Sequence, residues 1–212
     1  MPYVAKRPVI IVEGHGDVDS VPSLIRKISH HQHIFDLSPV SPSIRGGALG
    51  KFRNVEQLGR YVRLAALRAE ADSILIAVDC DDDCAKVEVA AMTAMLWPLA
   101  DELKKKIGVC FFVREFECLY LHCLEEIAAR YLDLNIQLPC LVSPADIESV
   151  RDAKGLLSRH ITSGSYKETR DQSQFVHALN VDKLIAQSRT TQHIVNCVKF
   201  FNDGASALVY PA

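Results

Sequence analysis

The chain has 212 residues and a mass of 23.5 kDa, with 49% hydrophobic and 24% charged residues, 10 glycines, 9 prolines and a net charge of −2. That length can bury a core without disulfides or metal staples; the composition excludes disordered, collagen-like and low-complexity chains, and no apolar run approaches the roughly 20 residues of a membrane span. The near-neutral charge leaves any nucleic-acid role to a local basic patch or to metal ions bridging to phosphate.

Residues 8–13, PVIIVE, form an apolar, β-branched run, and GHGD then leads into VDSVPSLIRKIS, whose apolar positions recur at helical spacing. This predicts strand, turn, helix. HIFDLSPVSPSI, residues 33–44, is interrupted by Pro39 and Pro42, so any strand there is irregular or at an edge. A glycine-rich turn, Arg45–Gly50, precedes an amphipathic helix over Val55–Ala69. SILIAVD, residues 73–79, has the continuous hydrophobicity of a strand buried on both faces and ends in the acid run DCDDDC. A helix over Ala85–Lys106, a strand at 109–113 ending in REFE, and a helix over Leu119–Tyr131 follow.

This alternation predicts an α/β fold with a mainly parallel sheet flanked by helices over residues 1–135. Residues 136–212 break into short helical pieces, Pro144–Arg151, Ala153–Arg159, Ser173–Leu179, Val181–Gln187 and Gln192–Phe201, read as a helical extension packed on that domain.

Three strand ends carry acids: Glu13 with Asp17, then Asp79 with Asp81 and Asp83, then Glu115 with Glu117. In an open parallel sheet, ligands bind beyond the carboxyl ends of the strands where strand order reverses, so these acids are expected to converge there. Alternate residues on an extended chain point the same way, which lets Asp79 and Asp81 face one cation. Clustered carboxylates repel and raise one another's pKa unless a cation neutralises them, and oxygen-only donors favour Mg²⁺ or Mn²⁺. The alternative, that the acids cap the next helix, weighs most for Asp83.

VEGHGD after one buried strand and AVDCDDD after another resemble the Toprim fold of topoisomerases, primases, recombination mediators and the overcoming-lysogenization-defect (OLD) nucleases; the Glu13-xxx-Asp17 spacing is closer to the nucleases. REFECLYL at 114–121 and SYKETRDQ at 165–172 resemble a small Toprim-like bacterial family, domain of unknown function 4276, associated with ATPases in phage defence loci. The resemblance implies a Rossmann-like Toprim sheet. It implies Glu13 as metal ligand or general base and Asp79 and Asp81 as metal ligands. Asp17, Glu115 and Glu117 would serve a second metal. It also implies Lys167 as the cation that neutralises the phosphate in phosphodiester hydrolysis. The alternative for Lys167 is a solvated turn lysine.

The activity so implied is a Mg²⁺- or Mn²⁺-dependent nuclease on DNA or RNA, with a separate ATPase partner and a homodimer as further expectations. A catalytically weak Toprim scaffold or a primase-like nucleotidyl transferase would use the same acids.

GGALGKF imitates a phosphate loop but puts Arg45 at its first glycine and Phe52 at its hydroxyl, so no ATPase is expected. Arg45, Lys51 and Arg53 instead suit a nucleic-acid backbone, or a solvated helix face. Cys80, Cys84, Cys118, His122 and Cys123 suggest zinc, against which stands the ordinary burial of free thiols. His30 to His33 fall at a helix end, where imidazoles favour the carbonyls. The start MPYVAKRPVIIVEG has no long apolar signal region, so a cytoplasmic location with reduced cysteines is expected.

Overall fold

The computed structural model describes residues 6–138, 143–203 and 207–211; what the sequence suggested for residues 1–5 lies outside these. The first half alternates β1 (Pro8–Val12), α1 (Asp17–His31), β2 (Val40–Arg45), α2 (Leu49–Phe52), α3 (Val55–Ala66), β3 (Ser73–Asp79), α4 (Ala85–Leu103) and β4 (Lys106–Phe112). α5 (Cys118–His122), α6 (Leu124–Arg130), α7 (Pro144–Ile147), α8 (Ala153–His160), a π-helical turn (Glu168–Gln172), α9 (Ser173–Ala178), α10 (Val181–Gln187), α11 (Arg189–Asn202) and β5 (Val209–Tyr210) follow. Among the described residues no helix is long and apolar enough to cross a membrane.

The strands form one sheet in the order β2-β1-β3-β4-β5, every pairing parallel, which is the α/β class expected. Side chains alternate across it. Ile10, Val12, Leu75, Ala77, Cys110 and Phe112 face a core closed by α1, α9 and α11. Val9, Ile11, Ile74, Ile76, Val78, Val109 and Phe111 face the layer of α3 and α4. Two-sided burial is why β1, β3 and β4 read as unbroken apolar runs. From β1 the chain crosses to β2 on one side and then returns to β3 on the other. Strand order therefore reverses between β1 and β3, the position at which ligands bind in sheets of this kind.

Several boundaries differ from expectation. β2, with its two prolines, is indeed the edge strand. α4 stops at Leu103 because Lys104 turns left-handed (φ 52°), and β4 starts already at Lys106. The helix expected over Leu119–Tyr131 is two helices broken at Cys123. α7 is a single turn closed by the Ser143–Asp146 capping box. α11 begins at Arg189, where the Ser188 side chain caps Thr191 N–H, earlier than Gln192. The extension is also not purely helical, since β5 pairs with Ile107 and Gly108 of β4.

Candidate active site

Glu13 follows β1 directly and Asp79 closes β3, so both stand at the reversal point, on neighbouring strands whose register pairs Val12 with Ala77. The turn between β1 and α1 folds Asp17 back so that one carboxylate oxygen accepts Gly14 N–H at 2.8 Å. Its other oxygen accepts the side-chain amide of Gln172, also at 2.8 Å, from the π-helical turn. Asp79 accepts Phe116 N–H at 3.0 Å, which ties the ends of β3 and β4 together. Asp81 and Arg114 both adopt left-handed conformations (φ 49° and 65°), and Asp81 N–H bonds to the Arg114 carbonyl at 3.0 Å. Two non-glycine residues at positive φ on facing turns mark a place where backbone strain is held by its surroundings, as at functional sites.

The electrostatics follow from this crowding. Burial, then Asp81 and Asp17, push the Glu13 carboxyl up to about 7, and one of its buried oxygens, Oε2, has no hydrogen-bond partner. Burial also drives Asp79 well above the carboxylate range, reinforced by Glu117, Asp17 and Glu13. Glu117, fully buried, is likewise pushed to about 7 by burial. Its Oε1 accepts the Tyr166 hydroxyl at 2.9 Å, and its Oε2 has no partner. Burial raises Glu115 as well, and its Oε2 accepts Lys154 N–H at 3.0 Å.

A cation that the sequence did not single out pulls against this set. Lys154, on the first turn of α8, lowers the pKa of Glu13, Asp79 and Glu117 alike and pairs with Glu168 at 2.7 Å. Burial acts to lower the Lys154 ammonium, but Glu117, Glu168 and Asp79 outweigh it and hold it above its ordinary range. Lys167 is exposed along an open groove of about 340 Å³ shared with Lys154, Ser158 and Thr169. The role expected of Lys167 thus has a second candidate in Lys154, the lysine whose charge acts on Glu13, Asp79 and Glu117.

Asp83 is drawn into an ion pair with Arg53, which also forks onto Glu88. This half-exposed pairing sets two carboxylates against the charge Arg53 brings to the basic patch. Arg45 remains at the end of β2, 2.6 Å from His15, and Lys51 stays exposed beside Gly47. The zinc reading finds no support, because Cys80, Cys118, Cys123 and His122 are buried and burial pushes the three thiols up, opposing the thiolate zinc needs.

Sequence reasoning missed Lys154, Tyr166 and Gln172. The last two lie inside the quoted SYKETRDQ stretch; Lys154 carried only the weak signal of a helix start, Asp152-Ala153-Lys154-Gly155, where Asp152 caps Gly155 N–H. The π-helical turn bearing Gln172 sits so close to α1 that a Cβ at Gly16 would collide with Gln172 Oε1. Gly16→Ala should therefore destabilise the fold by about 1–3 kcal/mol in urea unfolding, whereas Gly50→Ala, with open space around it, should be neutral. Equal effects would mean the turn is not seated on Gly16.

Among the described residues no three His, Cys, Asp or Glu side chains are gathered tightly enough to hold a metal ion as they stand. The donors present are nonetheless carboxylate oxygens, two of them buried and unpartnered, on Glu13 and Glu117. A Mg²⁺-type ion needs only one or two protein carboxylates, water and substrate phosphate supplying the rest. In donor chemistry the residues fit such an ion.

A family model described as Domain of unknown function (DUF4276) matches residues 12–199. Two solved structures of the C-terminal region of the Xanthomonas campestris pv. campestris OLD protein, phased with iodine and with mercury, are similar to the chain. Each is 18% identical, covers 93% of this chain and 98% of its own, and has a TM-score of 0.44. No curated protein matches the chain.

Proposed function

The chain belongs to the DUF4276 family, and on that premise we propose that it is a metal-dependent nuclease acting on a nucleic-acid phosphodiester at the carboxyl ends of β1 and β3. The observation that carries this reading is Glu13. Its unpartnered buried oxygen lies at the reversal point of a parallel sheet, where burial and then Asp81 and Asp17 push the carboxyl to about 7 and Lys154 opposes them.

One or two of Glu13, Asp79 and Asp81 would hold a Mg²⁺ or Mn²⁺ ion, water and substrate phosphate completing its shell. A bound ion would supply charge neutralisation of the phosphate and a more acidic bound water. The protein's own groups set the rest. Without an ion, burial holds the Glu13 carboxyl near 7; as a ligand it would be ionised, so its part there is to hold the cation. Lys154 places an ammonium beside the carboxylates, where charge develops on a phosphate oxygen. Gln172 and Gly14 fix both oxygens of Asp17, and Tyr166 fixes one oxygen of Glu117, so these carboxylates enter with set orientation.

The test is cleavage of single-stranded, duplex and structured DNA and RNA in Mg²⁺ or Mn²⁺. Cutting that EDTA abolishes is the expected result. Mn²⁺ binding without cutting of any substrate would turn the reading to a scaffold that uses the acids for a metal-bridged contact. A separate ATPase partner belongs to the same proposal: Phe52 packs against Gly46 where a phosphate loop would need open backbone. ATP added to the isolated chain should accordingly leave the cleavage rate unchanged, and ATP-stimulated cutting would refute a separate ATPase.

A further inference from the structure

We propose that the substrate is a polynucleotide strand that crosses the sheet edge at right angles to the strands. Arg45 with His15 would hold backbone phosphate on one side of the acid centre, and Arg114 with Arg151 on the other. This rests on the acid centre being the place where a phosphodiester sits.

The sheet order sets the line. Arg45 ends β2 and is in register with Val12 of β1; Glu13 and Asp17 follow β1; Asp79 and Asp81 close β3; Arg114 stands two residues past β4. Cationic, anionic, anionic and cationic ends thus succeed one another across four adjacent strands. At about 4.8 Å per strand the outer ends are roughly 14 Å apart, against a rise of about 3.4 Å per nucleotide in a stacked strand. A mononucleotide reaches one flank only.

Both flanks carry positive charge that the protein leaves uncancelled. Arg45 pairs with no carboxylate among the described residues, whereas Arg7, Arg53, Arg63 and Arg189 all do. Its Nη1 lies 2.6 Å from His15 Nε2. A guanidinium only donates, so this nitrogen accepts and the imidazole proton sits on Nδ1. On the far side, one carboxylate oxygen of Asp82 is shared by Arg114 at 2.5 Å and Arg151 at 3.3 Å, two cations on one anion. Arg114 also donates to the Asp81 carbonyl at 3.2 Å, which fixes this flank to the turn that bears a candidate ligand. Arginine forks match phosphate oxygens in pairs, so each flank suits a backbone phosphate. A strand laid across them would also offset the repulsion that the carboxylates between them exert on a phosphate.

The experiment is fluorescence anisotropy with labelled all-phosphorothioate single strands of two and eight nucleotides in Mg²⁺, titrated between 50 and 200 mM salt. The wild type should bind the eight-mer at least tenfold more tightly than the dinucleotide. Arg45→Ala and Arg151→Ala should each weaken the eight-mer about three- to tenfold and lower its salt slope by about 0.7, the share of one phosphate contact on a single strand. Lys104→Ala, whose lysine pairs with Asp101 at the other end of the sheet, should change neither. Equal affinity for the two lengths, or an unchanged eight-mer slope in either arginine variant, overturns the crossing path. Length- and arginine-dependent binding by a protein that cuts no unmodified strand would instead sink the nuclease reading and leave this one standing.

Discussion

Glu13→Gln should lower metal-dependent cleavage by at least about 10³-fold and Lys154→Met by about 10²-fold or more, while Lys167→Met costs no more than a few-fold. Glutamine keeps the shape of Glu13 but loses the anion that would hold a hard cation. Lys154 is the ammonium that Glu13, Asp79 and Glu117 all feel, and methionine preserves its stem while removing that charge. Lys167 is an exposed groove residue whose loss removes at most a long-range attraction for a polyanion. The check is initial rates at saturating Mg²⁺, with urea unfolding of each variant to separate chemistry from stability. Glu13→Gln should fold at least as well as wild type at pH 8, because the protein spends free energy to ionise that carboxyl in place. A larger loss in Lys167→Met than in Lys154→Met would give the role to Lys167 instead.

The contrast between Lys154 and Lys167 shows what a sequence discloses and what it withholds. The acids on β1 and β3 were legible because each directly follows an unbroken apolar run. A strand buried on both faces has one register, so the residue after it lands at a known edge. Glu13 and Asp79 needed no tertiary information beyond parallel strand order. Lys154 was illegible for the opposite reason. It reaches the centre through the docking of α8, whose backbone is seated by Glu115, 39 positions away in the chain, and no local spacing encodes that contact. Arg53 and Asp83 both looked free in sequence, yet they cancel each other across α2 and the start of α4. The two-residue β5 is too short for any alternation to show, and it forms because β4 offers an open edge next to Ile107 and Gly108. The broken α5–α6 helix likewise has continuous helical periodicity. Its interruption at Cys123 accompanies a tertiary contact, Asn180 N–H donating to the thiol at 3.4 Å.

The second large effect is a stability profile whose sign turns with metal. In EDTA the protein should lose stability as pH rises from about 4.5 to about 8, and Glu117→Gln should flatten that decline. The Glu117 carboxyl is raised from an ordinary 4.5 to about 7, so between those values the folded state binds the proton that the unfolded chain has released. A group raised in this way favours folding fully below its unfolded pKa, and the advantage is lost as pH climbs through the folded pKa. For the fully buried Glu117 the loss has an upper bound of about 3 kcal/mol at 1.36 kcal/mol per pKa unit; the half-exposed Glu13 adds less, because solvent screens it. Glutamine keeps an oxygen to accept the Tyr166 hydroxyl but leaves an amide donor where Oε2 has no partner, which returns about 1 kcal/mol of the gain. Glu117→Gln should therefore be about 1–2 kcal/mol more stable than wild type at pH 8 in EDTA and about 1 kcal/mol less stable at pH 4.5, where only the amide penalty remains. Saturating Mg²⁺ or Mn²⁺ should reverse the wild-type slope between pH 6 and 8, because a cation binds the ionised carboxylates of the folded state and competes with their protons. Urea unfolding at half-unit pH steps, with and without metal, reads both. A wild-type profile in EDTA that is flat from pH 4.5 to 8 would mean that these carboxyls are already ionised at no cost, and the electrostatic case for a cation at these strand ends would fall with it.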